Sequence, residues 1–247
     1  MDAGEAGAAG GLQPGPRGET NTLSFHNIGE LLETRAGASP EKVFLFSEAD
    51  ERRFTYREFD AAVNRAARLL ASRGVGRGDV VSLLLPNGAE YVIAYFACFK
   101  LGALAGPVNS LLKPEEMAYV VGNSEAKLLL YHSQFAGQVA EFRAGARTLG
   151  DALVFDDEAA ATEGLSGEPG EWLDTPLKRD DEAVIIYTSG TTGRPKGCLL
   201  THGNLLANAR QIVEWLSFTQ DDRLLTVMPL FHMNAVSVTT MSALHAG

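Results

Sequence analysis

The chain is short of cysteine and of basic charge, and it has no long apolar run; each scarcity removes a class of protein. Its two cysteines, Cys98 and Cys198, stand far apart in a chain of 247 residues and offer neither a disulfide framework nor a zinc cluster. Lys and Arg number 21 against 31 Asp and Glu, a net charge of −10, which argues against a broad electrostatic grip on nucleic acid or anionic lipid. Any basic site must be local. Apolar runs such as Val80 to Pro86 are far too short to cross a hydrocarbon layer of roughly 30 Å as a helix. Residues 1–22 lack the apolar core of a secretory signal, so a reducing, cytoplasmic location without a transmembrane segment is expected. No GxSxG elbow, HExxH or CxxC occurs either.

What the chain has is enough apolar material for a core: 45% hydrophobic residues with 21% charged and a mean hydropathy of −0.03. Residues 1–22, dominated by Ala, Gly, Pro and Glu, are expected to form a flexible leader. From Leu23 onward helical and strand periods alternate, the pattern of an α/β domain on a mostly parallel sheet flanked by helices. Phe54 to Tyr56 ends a strand; Thr55 and Glu58 form a capping box for a helix from Tyr56 to Ser72, which Gly74 and Gly76 stop. Asp79 to Leu85 is continuously apolar and closed by Pro86-Asn87-Gly88, as befits a central strand. A helix from Ala89 to Leu101, a strand from Leu104 to Val108, a helix opened by Pro114 and a strand from Ala126 to Tyr131 complete a strand-helix alternation. Asp156 to Asp174 reads as a surface excursion before a buried strand, Ala183 to Tyr187. A further strand is expected at Arg223 to Val227.

The chemistry converges on Tyr187 to Gly197, YTSGTTGRPKG, which follows the buried strand and precedes a polar turn and a helix beginning near His202. Gly190, Gly193 and Gly197 would let amide N–H groups approach an anion, the hydroxyls of Thr188, Ser189, Thr191 and Thr192 add donors, and Lys196 supplies the opposing charge. Pro195 fixes its own φ and restricts Arg194, which stiffens part of the loop. The segment is not the Walker-type GxxxxGK[ST] loop, because two residues rather than four separate Gly190 from Gly193 and Gly197 follows the lysine. A plain Gly/Thr-rich surface turn is the bland alternative. The clusters Asp156-Asp157-Glu158 and Asp180-Asp181-Glu182 read as solvated edges, and Tyr91, Tyr95, Phe96 and Phe99 as core at helical spacing. None of His26, His132, His202 and His245 is expected to bind metal; His202 reads as a helix-start residue beside Thr201.

YTSGTTGRPKG resembles, without a gap, the phosphate-loop signature of the adenylate-forming enzymes, which include acyl-CoA synthetases, adenylation domains of peptide synthetases and luciferases. Phe54 to Glu58, Gly76 to Asn87, Ala97 to Asn109, Thr201-His202-Asn204 and Met228 to His232 resemble further segments of that family in order, so the likeness spans residues 24–247. The resemblance implies part of the large N-terminal domain of such an enzyme, with a carboxylate activated by ATP to an acyl-adenylate and passed to a thiol, coenzyme A being preferred over a carrier protein. It implies that Thr188, Ser189, Gly190, Thr191, Thr192, Gly193 and Lys196 line the β- and γ-phosphates with Mg2+, whose ligands lie mostly outside this chain. Lys196 would act as a phosphate clamp. It further implies that His232 gates or walls the acyl and thiol channel, with Asn234 and Ala235 lining the same pocket; a strand-end histidine without ligand contact is the alternative.

The family's later signatures, a magnesium-holding glutamate, a ribose-binding aspartate, a hinge and a C-terminal lysine, do not occur in the 247 residues. Residues 23–247 are therefore expected to be an incomplete AMP-binding domain without a C-terminal lid, with little turnover alone. Two readings stay open: a ligase completed by further sequence or a complementing C-terminal half, and a non-catalytic nucleotide- or acyl-binding fragment.

Overall fold

The computed structural model describes residues 25–48, 50–156, 176–188 and 194–247. The expected leader and nearly all of the acidic excursion at 156–174 lie outside them. A two-stranded antiparallel ribbon, β1 (Val43–Ser47) and β2 (Arg52–Thr55), leads into the main sheet. That sheet contains β3 (Val80–Leu84), β4 (Leu104–Pro107), β5 (Leu128–Tyr131), β6 (Asp151–Val154), β7 (Glu182–Thr188) and β8 (Lys196–Thr201). Their spatial order is β6-β5-β3-β4-β7-β8, and every pair is parallel except β7 with β8.

Helices cover both faces because side chains alternate across each strand. Val81 and Leu83 of β3 and Leu128 and Leu130 of β5 join one apolar cluster with α1 (Ile28–Ala38), α2 (Tyr56–Ser72), α3 (Ala89–Leu101) and α6 (His202–Leu216). Leu84 and Leu129 turn to the opposite face, where α4 (Pro114–Asn123) and α5 (Ala136–Phe142) contribute Met117, Val121, Val139 and Phe142. A π-helical stretch, Ala235–Met241, runs into α7 (Ser242–Ala246). Among the described residues no helix is long and apolar enough to cross a membrane.

Several boundaries follow from local chemistry. The expected capping box is present: Thr55 accepts from the Glu58 amide at 3.2 Å, and the Glu58 carboxylate accepts from the Thr55 amide at 2.8 Å. α3 ends at Gly102, which adopts φ +75°; a Cβ there would also stand 2.7 Å from Leu177. The core reading of Tyr91, Tyr95, Phe96 and Phe99 holds, since all four are buried.

Three expectations need correction. Arg223 to Val227 is not a strand: Leu225 and Val227 are 80% and 74% exposed, and no described segment pairs with them, so β-prone composition has no ladder to join. The acidic edges are not simply solvated. Asp156 is buried and accepts from the Ser133 amide, while Asp181 is half-buried and accepts from the Lys178 amide at 2.8 Å and from Arg77 at 2.6 Å. Finally, Lys196 to Thr201 forms a strand where the sequence suggested a turn.

Candidate functional site

Where a parallel sheet reverses its winding, the loops on either side part and leave a crevice at the carboxyl ends of the strands. Here the chain leaves β3 through α3 on one face to reach the adjacent β4, then returns through α4 on the other face to β5. The reversal therefore lies between β3 and β5, the adjacent strands whose onward connections run in opposite directions, to β4 and to β6. Pro86-Asn87-Gly88 follows β3, Val108-Asn109 follows β4, and Thr188 ends β7, which lies beside β4 and runs parallel to it. The glycine- and threonine-rich loop leaves the sheet at this same edge.

The loop is the connection of an antiparallel hairpin. Its register pairs Thr188 with Lys196 and Tyr187 with Gly197, so the expected hydroxyl and ammonium sit opposite each other at its mouth, and both residues are exposed. Ser189, Gly190, Thr191, Thr192 and Gly193 lie outside the described residues. Among those described, Lys196 forms no ion pair. Gly197 has a packing reason for lacking a side chain: a Cβ would meet Ile185 at 3.1 Å and the Tyr187 ring at 3.3 Å. Burial, aided by the neighbouring Tyr119, pushes the Tyr187 hydroxyl up to about 12, so it stays protonated and donates to Asn123 Oδ1 at 2.8 Å.

The segment 228–235 is held to the crevice by a residue that sequence reasoning used only as a strand terminator. Asn87 Nδ2 donates to the Met228 carbonyl at 3.0 Å and its Oδ1 accepts from the Leu230 amide at 2.8 Å. The buried Tyr95 hydroxyl donates to the Leu230 carbonyl at 3.0 Å. His232 is exposed, with its ring centroid 4.6 Å from that of Phe231, and its carbonyl accepts from the Ala235 amide at 3.0 Å. Asn234 is exposed and Ala235 buried. The structure thus gathers His232, Asn234 and Ala235 on one tethered segment, and Thr188 and Lys196 on the hairpin. A Pro-Asn-Gly after a buried strand was the only local signal for the Asn87 clamp, whose partners lie more than 140 residues later.

His202 is the first residue of α6, as expected, and it is fully buried. Its Nδ1 accepts from the Ile28 amide at 3.4 Å, capping an otherwise unpaired N–H of α1, and Nε2 has no partner among the described residues. Burial lowers its pKa to about 4 against the opposing pull of Asp181, so the ring is neutral and structural. No group of three His, Cys, Asp or Glu side chains converges among the described residues.

A doubly wound α/β sheet with a Gly/Thr-rich loop at its carboxyl edge defines a nucleotide-type binding domain. Residues 32–247 match the family described as AMP-binding enzyme, and the chain belongs to that family. It is 34% identical over 233 residues to the crotonobetaine/carnitine–CoA ligase of Salmonella paratyphi B, covering 90% of this chain and 45% of that protein. It is 32% identical over 218 residues to the long-chain-fatty-acid–CoA ligase FadD13 of Mycobacterium tuberculosis, covering 88% and 43%. The inhibitor-bound crystal structure of the N-terminal domain of FACL13 from Mycobacterium tuberculosis superposes with a TM-score of 0.82 at 31% identity, covering 90% of this chain and 56% of that one. The chain spans less than half the length of these two curated relatives.

Proposed function

We propose that this chain is the nucleotide-binding part of an acid–thiol ligase, which activates a carboxylic acid with ATP as an acyl-adenylate and hands the acyl group to coenzyme A. The observation that carries the reading is the hairpin connection bounded by Thr188 and Lys196 at the carboxyl edge of the parallel sheet. Adenylate formation brings a carboxylate to a triphosphate, so the developing pyrophosphate charge needs fixed donors. In this reading Thr188, Ser189, Gly190, Thr191, Thr192 and Gly193 give those donors, and the Lys196 ammonium, without an ion-pair partner among the described residues, neutralises the departing charge. The Asn87-tethered segment walls the acyl and thiol side with His232, Asn234 and Ala235. The two curated relatives compared above are named as CoA ligases, which supports coenzyme A as acceptor. The described residues gather no carboxylate set for magnesium, and no step here depends on it. Free Cys98 and Cys198 suit a reducing, cytoplasmic setting.

Calorimetric titration of the chain with ATP tests the phosphate site. Binding that weakens about tenfold or more in Lys196→Ala is expected, since loss of a charge-assisted contact to a bound phosphate costs about 1.5–3 kcal/mol; no binding, or equal affinity in the variant, overturns the reading. Carboxylate-dependent exchange of labelled pyrophosphate into ATP, measured on the protein completed by its C-terminal half, then separates the two functional classes. Exchange identifies the ligase, and binding without exchange for aliphatic or aromatic acids identifies a nucleotide-binding fragment.

A further inference from the structure

Both limbs of the 189–195 loop are fastened to one face of one helix. On the outgoing limb, Tyr187 donates its hydroxyl to Asn123 at 2.8 Å. On the returning limb, Tyr119 donates its hydroxyl to the Pro195 carbonyl at 3.3 Å, and the Arg194 guanidinium lies over the Tyr119 ring, 5.5 Å from its centroid. Tyr119 and Asn123 are four residues apart on α4 and so project from the same side. Gly197 completes the arrangement, because any side chain there would push against the Tyr187 ring.

The geometry points to Tyr119 and Asn123 as positioning residues for the phosphate site: α4 holds the two limbs of the hairpin at a fixed separation, and with them Thr188 and Lys196 across its mouth, before nucleotide arrives. This rests on the nucleotide-binding reading above and extends it. Limbs that must be brought into place on binding cost affinity, whereas limbs already held do not. The brace also divides the two cations of the loop. Arg194 is engaged on an aromatic face on the α4 side, leaving Lys196, across the hairpin mouth from Thr188, as the cation available to an anion. α4 meets the sheet through Met117, Val120 and Val121, so Tyr119 and Asn123 can be changed without opening the core; Asn123 is exposed.

The test couples hydrogen exchange of the nucleotide-free chain to ATP titration. In Tyr119→Ala the peptide covering 188–197 exchanges faster while peptides of β3 and β5 are unchanged, and ATP affinity falls about tenfold; Tyr119→Phe, which keeps the ring beneath Arg194, falls about threefold, in line with loss of one neutral hydrogen bond. Asn123→Ala, a surface change, produces the same local acceleration on the outgoing limb and serves if Tyr119→Ala folds poorly. Lys196→Ala loses ATP affinity without loosening the loop. Unchanged loop exchange in both Tyr119→Ala and Asn123→Ala overturns the brace, as does acceleration spread over the whole chain. Faster loop exchange with unchanged ATP affinity also overturns the positioning role. If the wild-type chain binds no ATP, the nucleotide reading fails, and with it the positioning role, whereas loop exchange still reports whether the mechanical contact exists.

Discussion

The two faces of the central sheet are built for different purposes. On one, α1, α2, α3 and α6 enclose an aromatic cluster in which Phe44, Phe59, Phe96 and Phe99 meet edge to face, with centroids 4.9 to 6.5 Å apart. This face even buries charge: Lys100, 2% exposed, donates to Asp60 at 2.6 Å and Asn64 at 2.8 Å and pairs with Glu33 at 2.9 Å, joining three helices. On the other face α4 and α5 cover a much smaller cluster, and the outer side of α4 is turned to the hairpin. Stability is concentrated on the first face and support of the loop on the second. Loop-supporting side chains on a thinner layer can be altered with little loss of fold, which is what makes the brace separable from the core.

The sharpest probe of that contrast makes one chemical change on each face. Phe96→Ala removes a ring that three other rings touch, and Phe142→Ala removes the largest buried side chain of the smaller cluster. Loss of about 4 kcal/mol is expected for Phe96 and about 3 for Phe142, from the range for aromatic truncation. Urea unfolding of both variants measures it, and an equal or reversed ranking would break the comparison.

A second probe uses the neutral histidine sealed into the first face. The folded His202 titrates near 4 because of burial, while an unfolded histidine titrates near 6.5. Above pH 6.5 neither state takes the proton, so stability is unaffected. Between about 6.5 and 4 the unfolded chain binds it and the native one does not, so stability falls as pH falls, by about 3 kcal/mol over the window. His245 is also lowered by burial, so the informative quantity is the difference between wild type and His202→Asn. The variant is less stable at pH 7 and flatter between pH 6.5 and 4.5. Parallel urea midpoints for the two proteins across that range would refute the buried-neutral assignment.

How much of this was legible in the sequence depends on whether the signal is local. The span of α2 follows from Thr55, Glu58 and the glycines after it, that of α3 from the Pro86-Asn87-Gly88 break and the apolar run beyond it, and the start of α4 from Pro114; all are short-range chemistry, and all match the observed ends. The β7 strand and the loop that follows it were also readable, whereas β8 was hidden because KGCLLT carries the lysine and glycine of the loop and is largely exposed. The Asn87 clamp, the Tyr119 brace and the His202 cap of α1 join residues 76 to 174 positions apart. Such partners are set by tertiary packing, and residue type alone does not name them. The misread strand at 223–227 shows the same limit from the other side, since composition favours a strand but pairing decides it.

The smallest test compares how helices on the two faces begin. α2 starts with both halves of its box, Thr55 to the Glu58 amide and Glu58 to the Thr55 amide. α4 has only the second half: the Glu116 carboxylate accepts from the Lys113 amide at 2.9 Å, and Pro114 at the first position removes a donor that would otherwise need a partner. Thr55→Ala therefore leaves an amide without its acceptor at the start of the longer helix, at a cost of about 1 kcal/mol, and Glu116→Ala costs about half of that. Both glutamates also face a helix N-terminus, so added salt should narrow the Glu116 effect more than the Thr55 effect, because the first is carried by charge and the second by a neutral hydroxyl. Urea midpoints at low and high salt read the two differences. A Glu116→Ala loss as large as that of Thr55→Ala, or one indifferent to salt, would mean that α4 is held at its start as firmly as α2, and the division between a stabilising face and a supporting face would have to be redrawn.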